Sequence, residues 1–137
     1  MSFANELGDR YVAVWNEHDP ERRREMVAEL WASDGEHVLV PPQEVREAAA
    51  GMRMNSVFEI RGHSELALRV ADAYERFIAS GDYRFRRRDD AERLRDVVKF
   101  RWEMVSTEDD SVAGIGLEFL VMNAEGRIRS DFQFIEG

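Results

Sequence analysis

The sequence predicts one α+β domain, with helices gathered in the first half and an antiparallel sheet in the second. Three observations carry this. Apolar residues recur at spacings of three and four in three segments before Gly81. The period then switches to two, most plainly at Val98, Phe100, Trp102 and Met104, which alternate with Lys99, Arg101 and Glu103. Finally, two apolar runs, Val112 to Met122 and Arg127 to Ile135, flank Asn123-Ala124-Glu125-Gly126, a hairpin loop by composition in which Gly126 is free to take positive φ. At 137 residues the chain has room for one sizeable core, so 1–137 reads as a single domain.

In order, Phe3, Leu7, Tyr11, Val14, Trp15 and His18 form the stripe of a first amphipathic helix that ends near Asp19-Pro20. Asp19 suits an N-cap and Pro20 a first helical position, opening a second helix whose apolar face is Met26, Val27, Leu30 and Trp31. Ser33-Asp34-Gly35 stops it. A short strand over Glu36 to Val40 follows, then Pro41-Pro42, a short helix over Glu44 to Ala50, and an extended piece at Val57 to Ile60. Beyond Gly62, a third long helix from Ser64 to Ser80 carries Leu66, Val70, Ala73, Tyr74, Phe77 and Ile78, and Gly81 ends it. Val112 to Met122 is apolar on both parities, so that strand is expected to be covered on both faces.

Composition narrows the function classes. Zero cysteines exclude disulfides, thiolate nucleophiles and cysteine-ligated zinc. A net charge of -9 argues against nucleic acid and anionic membranes as partners. No apolar run approaches membrane-spanning length, and the first residues lack a basic and then apolar leader pattern, so the expectation is a cytoplasmic protein. His18, His37 and His63 are dispersed without metal-ligand spacing; neither a metal nor another cofactor is expected. Arg84, Arg86, Arg87 and Arg88, followed by Arg93 and Arg95, are interleaved with Asp89, Asp90, Glu92 and Asp96, which reads as a solvated hairpin and not a basic binding patch.

Acid/base chemistry is suggested at one place. If Met122 pairs with Arg127, Glu118 falls directly opposite Asp131, and two carboxylates share one face of an apolar ladder. They must be paired with a cation such as Arg129 or Arg101, exposed at an open end, or protonated; in the last case one is an acid and the other a base near neutrality. On the opposite face fall Leu117, Phe119, Val121, Phe132 and Phe134, a patch that should not face water and that predicts a homodimer packed sheet to sheet.

Arg10-Tyr11-Val12-Ala13-Val14-Trp15-Asn16 with Asp19, Leu30-Trp31-Ala32-Ser33-Asp34-Gly35, Gly62 before the third helix, Phe100-Arg101-Trp102 and Asn123-Ala124-Glu125-Gly126-Arg127-Ile128 resemble the nuclear transport factor 2-like superfamily. The likeness is strongest to its SnoaL-like branch of polyketide cyclases, ketosteroid isomerases and members of unknown function. It implies a cone-shaped, strongly curved antiparallel sheet wrapped around the N-terminal helices, as in cystatin-like folds, with a pocket between helices and sheet and commonly a homodimer. By resemblance, Tyr11 stands where ketosteroid isomerases place an oxyanion-binding tyrosine, Glu118 where they place the acid that assists it, and Asp131 near the catalytic aspartate of the cyclases. Where the isomerases carry their proton-shuttling aspartate before a proline, this chain has Val40 before Pro41, which cannot accept a proton.

Two function classes follow. One is a proton-transfer enzyme (isomerase, cyclase or hydrolase-like) acting on a small apolar carbonyl or hydroxyl compound. Its catalytic residues would be Tyr11, Glu118 and Asp131, and its substrate-binding residues Trp15, Val40, Trp102, Met104, Leu120 and Gln133. The other is a noncatalytic ligand-binding or dimerisation module whose pocket is filled by its own side chains, with Trp15, Trp31 and Trp102 as plain core.

Overall fold

The computed structural model of the chain describes residues 2–40 and 57–136; the helix expected over Glu44 to Ala50 lies outside them. Helix α1 spans Phe3–Asn16 and α2 Pro20–Leu30. The Ser2 hydroxyl accepts from the Asn5 amide at 3.1 Å and the Asp19 carboxylate from the Glu21 amide at 3.0 Å, so each helix starts on the side-chain cap its sequence offers. Helix α3, His63–Ala73, runs on into a π-helical turn at Tyr74–Ile78, and Gly81 follows with φ 84°. The strands are β1 Trp31–Leu39, β2 Phe58–Arg61, β3 Tyr83–Arg87, β4 Glu92–Leu94, β5 Val97–Ser106, β6 Val112–Met122 and β7 Ile128–Ile135.

These strands form one curled, open sheet in the order β2-β1-β7-β6-β5-β3, with β4 also paired to β5. The helices cover its inner face. Tyr11, Trp15, Leu7, Leu30, Trp31, Leu66, Val70, Phe100, Leu120 and Ile128 make a single core between them.

Four expectations need correction. The sheet is mixed, because β1 and β7 are parallel, a direction that local sequence does not encode. Trp31 is not the last apolar residue of α2 but the first of β1, and the strand runs through Ser33-Asp34-Gly35 with a bulge. Gly35 allows this: a Cβ there would sit 2.8 Å from the Ile128 carbonyl oxygen and 2.9 Å from that of Ala32. The arginine-rich segment is a hairpin only in its second part: β4 turns through Arg95-Asp96 into β5, whereas β3 pairs farther along β5 and not with β4. Its arginines are engaged at half-buried positions: Arg86 and Arg88 both donate to Glu103, at 2.8 and 2.9 Å, and Arg87 to Asp9 at 2.9 Å. Lastly, β6 is buried on its inner face only; Leu117, Phe119 and Val121 on the outer face are half-covered.

The hairpin register also departs from expectation, in a way that matters for chemistry. The Asn123 amide donates to the Arg127 carbonyl at 2.8 Å, so Met122 pairs with Ile128 and not with Arg127. This one-residue slip alone would send Glu118 and Asp131 to opposite faces. A bulge at Arg129 adds a second slip, after which Leu120 lies opposite Asp131 and Glu118 opposite Gln133. Two slips restore the parity. Glu118 and Asp131 therefore share the inner face as diagonal neighbours, not as a direct pair.

Candidate active site

Four strands and one helix deliver the polar groups. β7 directs Asp131 and Gln133 inward, β6 directs Glu118 and Leu120, β5 directs Phe100 and Trp102, and β1 places His37 directly across from Asp131 in the parallel ladder. Tyr11 descends on them from α1. Tyr11 is 2% exposed and His37, Glu118 and Asp131 are 0% exposed, so the cluster is dry by side-chain packing.

Asp131 is its hub. The Tyr11 hydroxyl donates to Asp131 Oδ2 at 2.8 Å, and His37 Nδ1 lies 2.8 Å from the same oxygen. Facing a carboxylate, Nδ1 is the donor in that contact, and Nε2 is buried without a partner among the described residues. Glu118 Oε1 accepts from Trp102 Nε1 at 2.9 Å. The Trp102 indole reaches this far because it lies flat over Gly116, where any Cβ would collide with the ring.

Burial drives the Glu118 carboxyl well above the usual range, and the Asp131 charge beside it adds to the effect. Burial would raise Asp131 too, but the positive side of His37 and hydrogen bonds from Glu118, His37 and Tyr11 outweigh it, and its direction is down. Of the two, Glu118 is therefore the carboxyl that holds a proton more readily. Glu118 Oε2 and Asp131 Oδ1, otherwise unpartnered when both groups are treated as carboxylates, are the atoms this proton can satisfy. The Tyr11 hydroxyl is likewise pushed up, by burial and then by the two acids, so it stays a neutral donor.

Around the cluster stands an aromatic wall. Tyr11 meets Trp15, Trp31 and Phe100 at centroid distances of 5.9, 5.7 and 5.5 Å, Trp15 meets His37 at 5.7 Å, and Phe85 stands edge-on to Trp102 at 5.4 Å. Trp15 Nε1, Trp31 Nε1 and Arg69 Nε are buried donors without acceptors. The ligand atoms of His37, Glu118 and Asp131 all lie within 4.8 Å of one another, a donor set able to hold a divalent cation. Asp131 Oδ2 and His37 Nδ1 are already bonded to each other, so a cation would have to displace that proton.

Of the residues singled out from sequence, Tyr11, Glu118, Asp131, Trp15, Trp102, Leu120 and Gln133 come together on this inner face. Met104 lies two residues beyond Trp102 on the same strand face, half-exposed and paired with Gly114 and Phe85. Val40 does not join them: it is exposed just past β1, with parity opposite to His37 and Leu39. Neither arginine considered as a counterion is used, since Arg101 turns to Glu136 at 2.6 Å and Asp90 at 3.3 Å, and Arg129 is exposed in the bulge. His37 was missed as a member. Its signal was there in the alternation of His37 and Leu39 against Glu36 and Val38, which puts the histidine on the apolar side.

No family sequence model matches the chain, and no curated protein sequence does. Solved structures do. A proposed isomerase of the SnoaL-like family from Agrobacterium tumefaciens is 26% identical over 100% of both chains, with a TM-score of 0.79. A SnoaL-like protein of unknown function from Burkholderia thailandensis is 15% identical over 98% of this chain and 96% of its own, at a TM-score of 0.68. A proposed polyketide cyclase from Sinorhizobium meliloti is 12% identical over 94% of each chain, at a TM-score of 0.60; at this identity, as for the Burkholderia protein, the likeness is one of fold. With the mixed curled sheet and the three helices on its inner face, the chain has the nuclear transport factor 2-like fold and is similar over its full length to the SnoaL-like protein from Agrobacterium.

Proposed function

We propose that the chain binds a small, mostly apolar ring compound bearing a carbonyl or hydroxyl group between α1, α3 and the sheet, and moves a proton on it. The observation that carries this is the buried set Tyr11–Asp131–His37 with Glu118, in which Asp131 Oδ2 meets both Tyr11 and His37, burial raises the Glu118 carboxyl while Asp131 is lowered, and His37 Nε2 is buried without a partner. The roles shift from those expected. Asp131, held by three donors, is a weak base and acts by orienting His37; His37 Nε2 is the general base, replacing the acid absent at Val40; Glu118 is the proton store and acid. Unpartnered donors on Trp15 and Trp31 favour a guest with an acceptor oxygen.

Deuterium wash-in α to the carbonyl of bulky ring ketones such as 2-decalone tests it. His37→Gln should lower the exchange rate about 10²- to 10⁴-fold while leaving the fold intact. Exchange no faster than in buffer across a panel of such ketones would sink the reading. One observation favours the noncatalytic alternative. Two surface clefts, one lined by Arg10, Val14 and Met26 and one between α2 and α3 by Arg23, Ala67 and Leu68, both lie away from the four buried groups.

The outer sheet face supports a homodimer. Phe132 and Phe134 are 37% and 49% exposed, and Phe119 packs edge-on to Phe134 at 5.8 Å within a patch that includes Leu117 and Val121. The protein should sediment as a dimer at micromolar concentration and Phe134→Glu as a monomer. A monomeric wild type removes the proposal.

A further inference from the structure

Among the described residues, Arg69 is a cation without an anion. It projects from α3 beside Leu66, Val70 and Ala73, the buried face of that helix. Its guanidinium lies over the Trp15 ring at 5.4 Å, Nε is buried and unpartnered, and among the described residues Arg69 makes no hydrogen bond or ion pair. The nearest carboxylate along its helix, Asp72, is taken by Arg76 at 3.1 Å. Burial works against its charge, and the acids of the site act on it only at a distance. Arg23, the more deeply buried arginine, differs in having a partner: it donates to the Glu17 carbonyl at 2.8 Å and lies over Tyr74.

We infer that Arg69 is the anchor for a carboxylate on the ligand, so that the molecule taken by this site is an apolar ring acid whose ring system passes Trp15 to reach His37. The inference rests on the proposed pocket and names its substrate class. The Trp15 indole touches both groups, 5.4 Å from the Arg69 guanidinium and 5.7 Å from the His37 ring, so a ligand lying along Trp15 from anchor to base spans about one ring system. A single guanidinium matches a single negative charge and offers a planar fork to a planar carboxylate. A phosphate dianion would leave one charge unmatched in a region that already holds ionised Asp131, which argues for the monoanion.

The test compares 2-naphthoate with 2-naphthamide, nearly isosteric and differing in charge, by calorimetry and tryptophan quenching at neutral pH. Wild type should bind the acid about tenfold or more tighter than the amide. Arg69→Met should erase that preference by weakening the acid alone, and Arg69→Lys should retain part of it. Equal binding of acid and amide by wild type overturns the inference while leaving the pocket standing, and needs no variant to fold. So does an Arg69→Met protein that keeps the preference. Failure of both compounds to bind removes the inference together with the pocket.

Discussion

Asp131→Ala should destabilise the protein by about 3–5 kcal/mol at neutral pH, a large part of the 5–15 kcal/mol typical of a domain. The reason is that Asp131 closes three hydrogen bonds at once. Removing it leaves the Tyr11 hydroxyl, the His37 Nδ1 proton and the Glu118 proton in a dry interior with no acceptor, and each stranded donor costs about 1–3 kcal/mol. Asp131→Asn keeps the volume and one acceptor oxygen, so it should cost less than half as much. The pH dependence has a definite sign. Because its folded carboxyl lies below the ordinary range, the stability Asp131 contributes is present above about pH 4 and lost as pH falls further. The penalty of the alanine variant should therefore shrink on acidification. Urea denaturation of the three proteins from neutral pH to about pH 3 checks both claims, and an alanine variant within 1 kcal/mol of wild type removes Asp131 as the hub.

How much of this was legible depends on whether the information is local. Asp19-Pro20, the α1 stripe and the Asn123 to Gly126 loop announce themselves because capping, helical period and turn chemistry act within a few residues. That Glu118 and Asp131 face inward was also foreseen, yet by two cancelling slips, since nothing in the sequence marks Arg129 as a bulge. The start of β1 at Trp31 was hidden because Trp31 also fits the apolar period of α2; its burial beside Ile128 of β7 decides the matter, and that pairing spans most of the chain. His37 was hidden for the same reason. Its alternation with Leu39 gave a face, but only the parallel register with β7 puts it on Asp131. Arg69 follows Leu66 by three and precedes Ala73 by four, so its half-buried setting was readable from helical spacing, whereas the absence of a carboxylate partner was not.

Glu118→Gln should make the protein more stable than wild type at alkaline pH, by a margin that grows as pH rises. An amide fits the site: its oxygen accepts from Trp102 Nε1 as Glu118 does at 2.9 Å, and its NH₂ group donates toward Asp131 in place of the shared proton. The sign follows from proton counts. Above about pH 4.3 the unfolded chain gives up its Glu118 proton. The folded chain keeps it, because burial and then Asp131 hold the carboxyl well above that range. Folding then takes up a proton, and wild type loses stability by as much as about 1.4 kcal/mol for each pH unit until the folded group ionises. Glutamine does not titrate, so its stability lacks this slope, and the Asp131 contribution, complete by about pH 5, is common to both proteins. Denaturation midpoints taken from about pH 5 to about pH 9, with carbon resonances of the two carboxyls followed over the same range, should show curves that diverge and one carboxyl titrating far above the usual value. Parallel curves, with both groups ionising near pH 4, would leave no proton stored between Glu118 and Asp131. The acid/base reading of the site would then give way to that of a binding module.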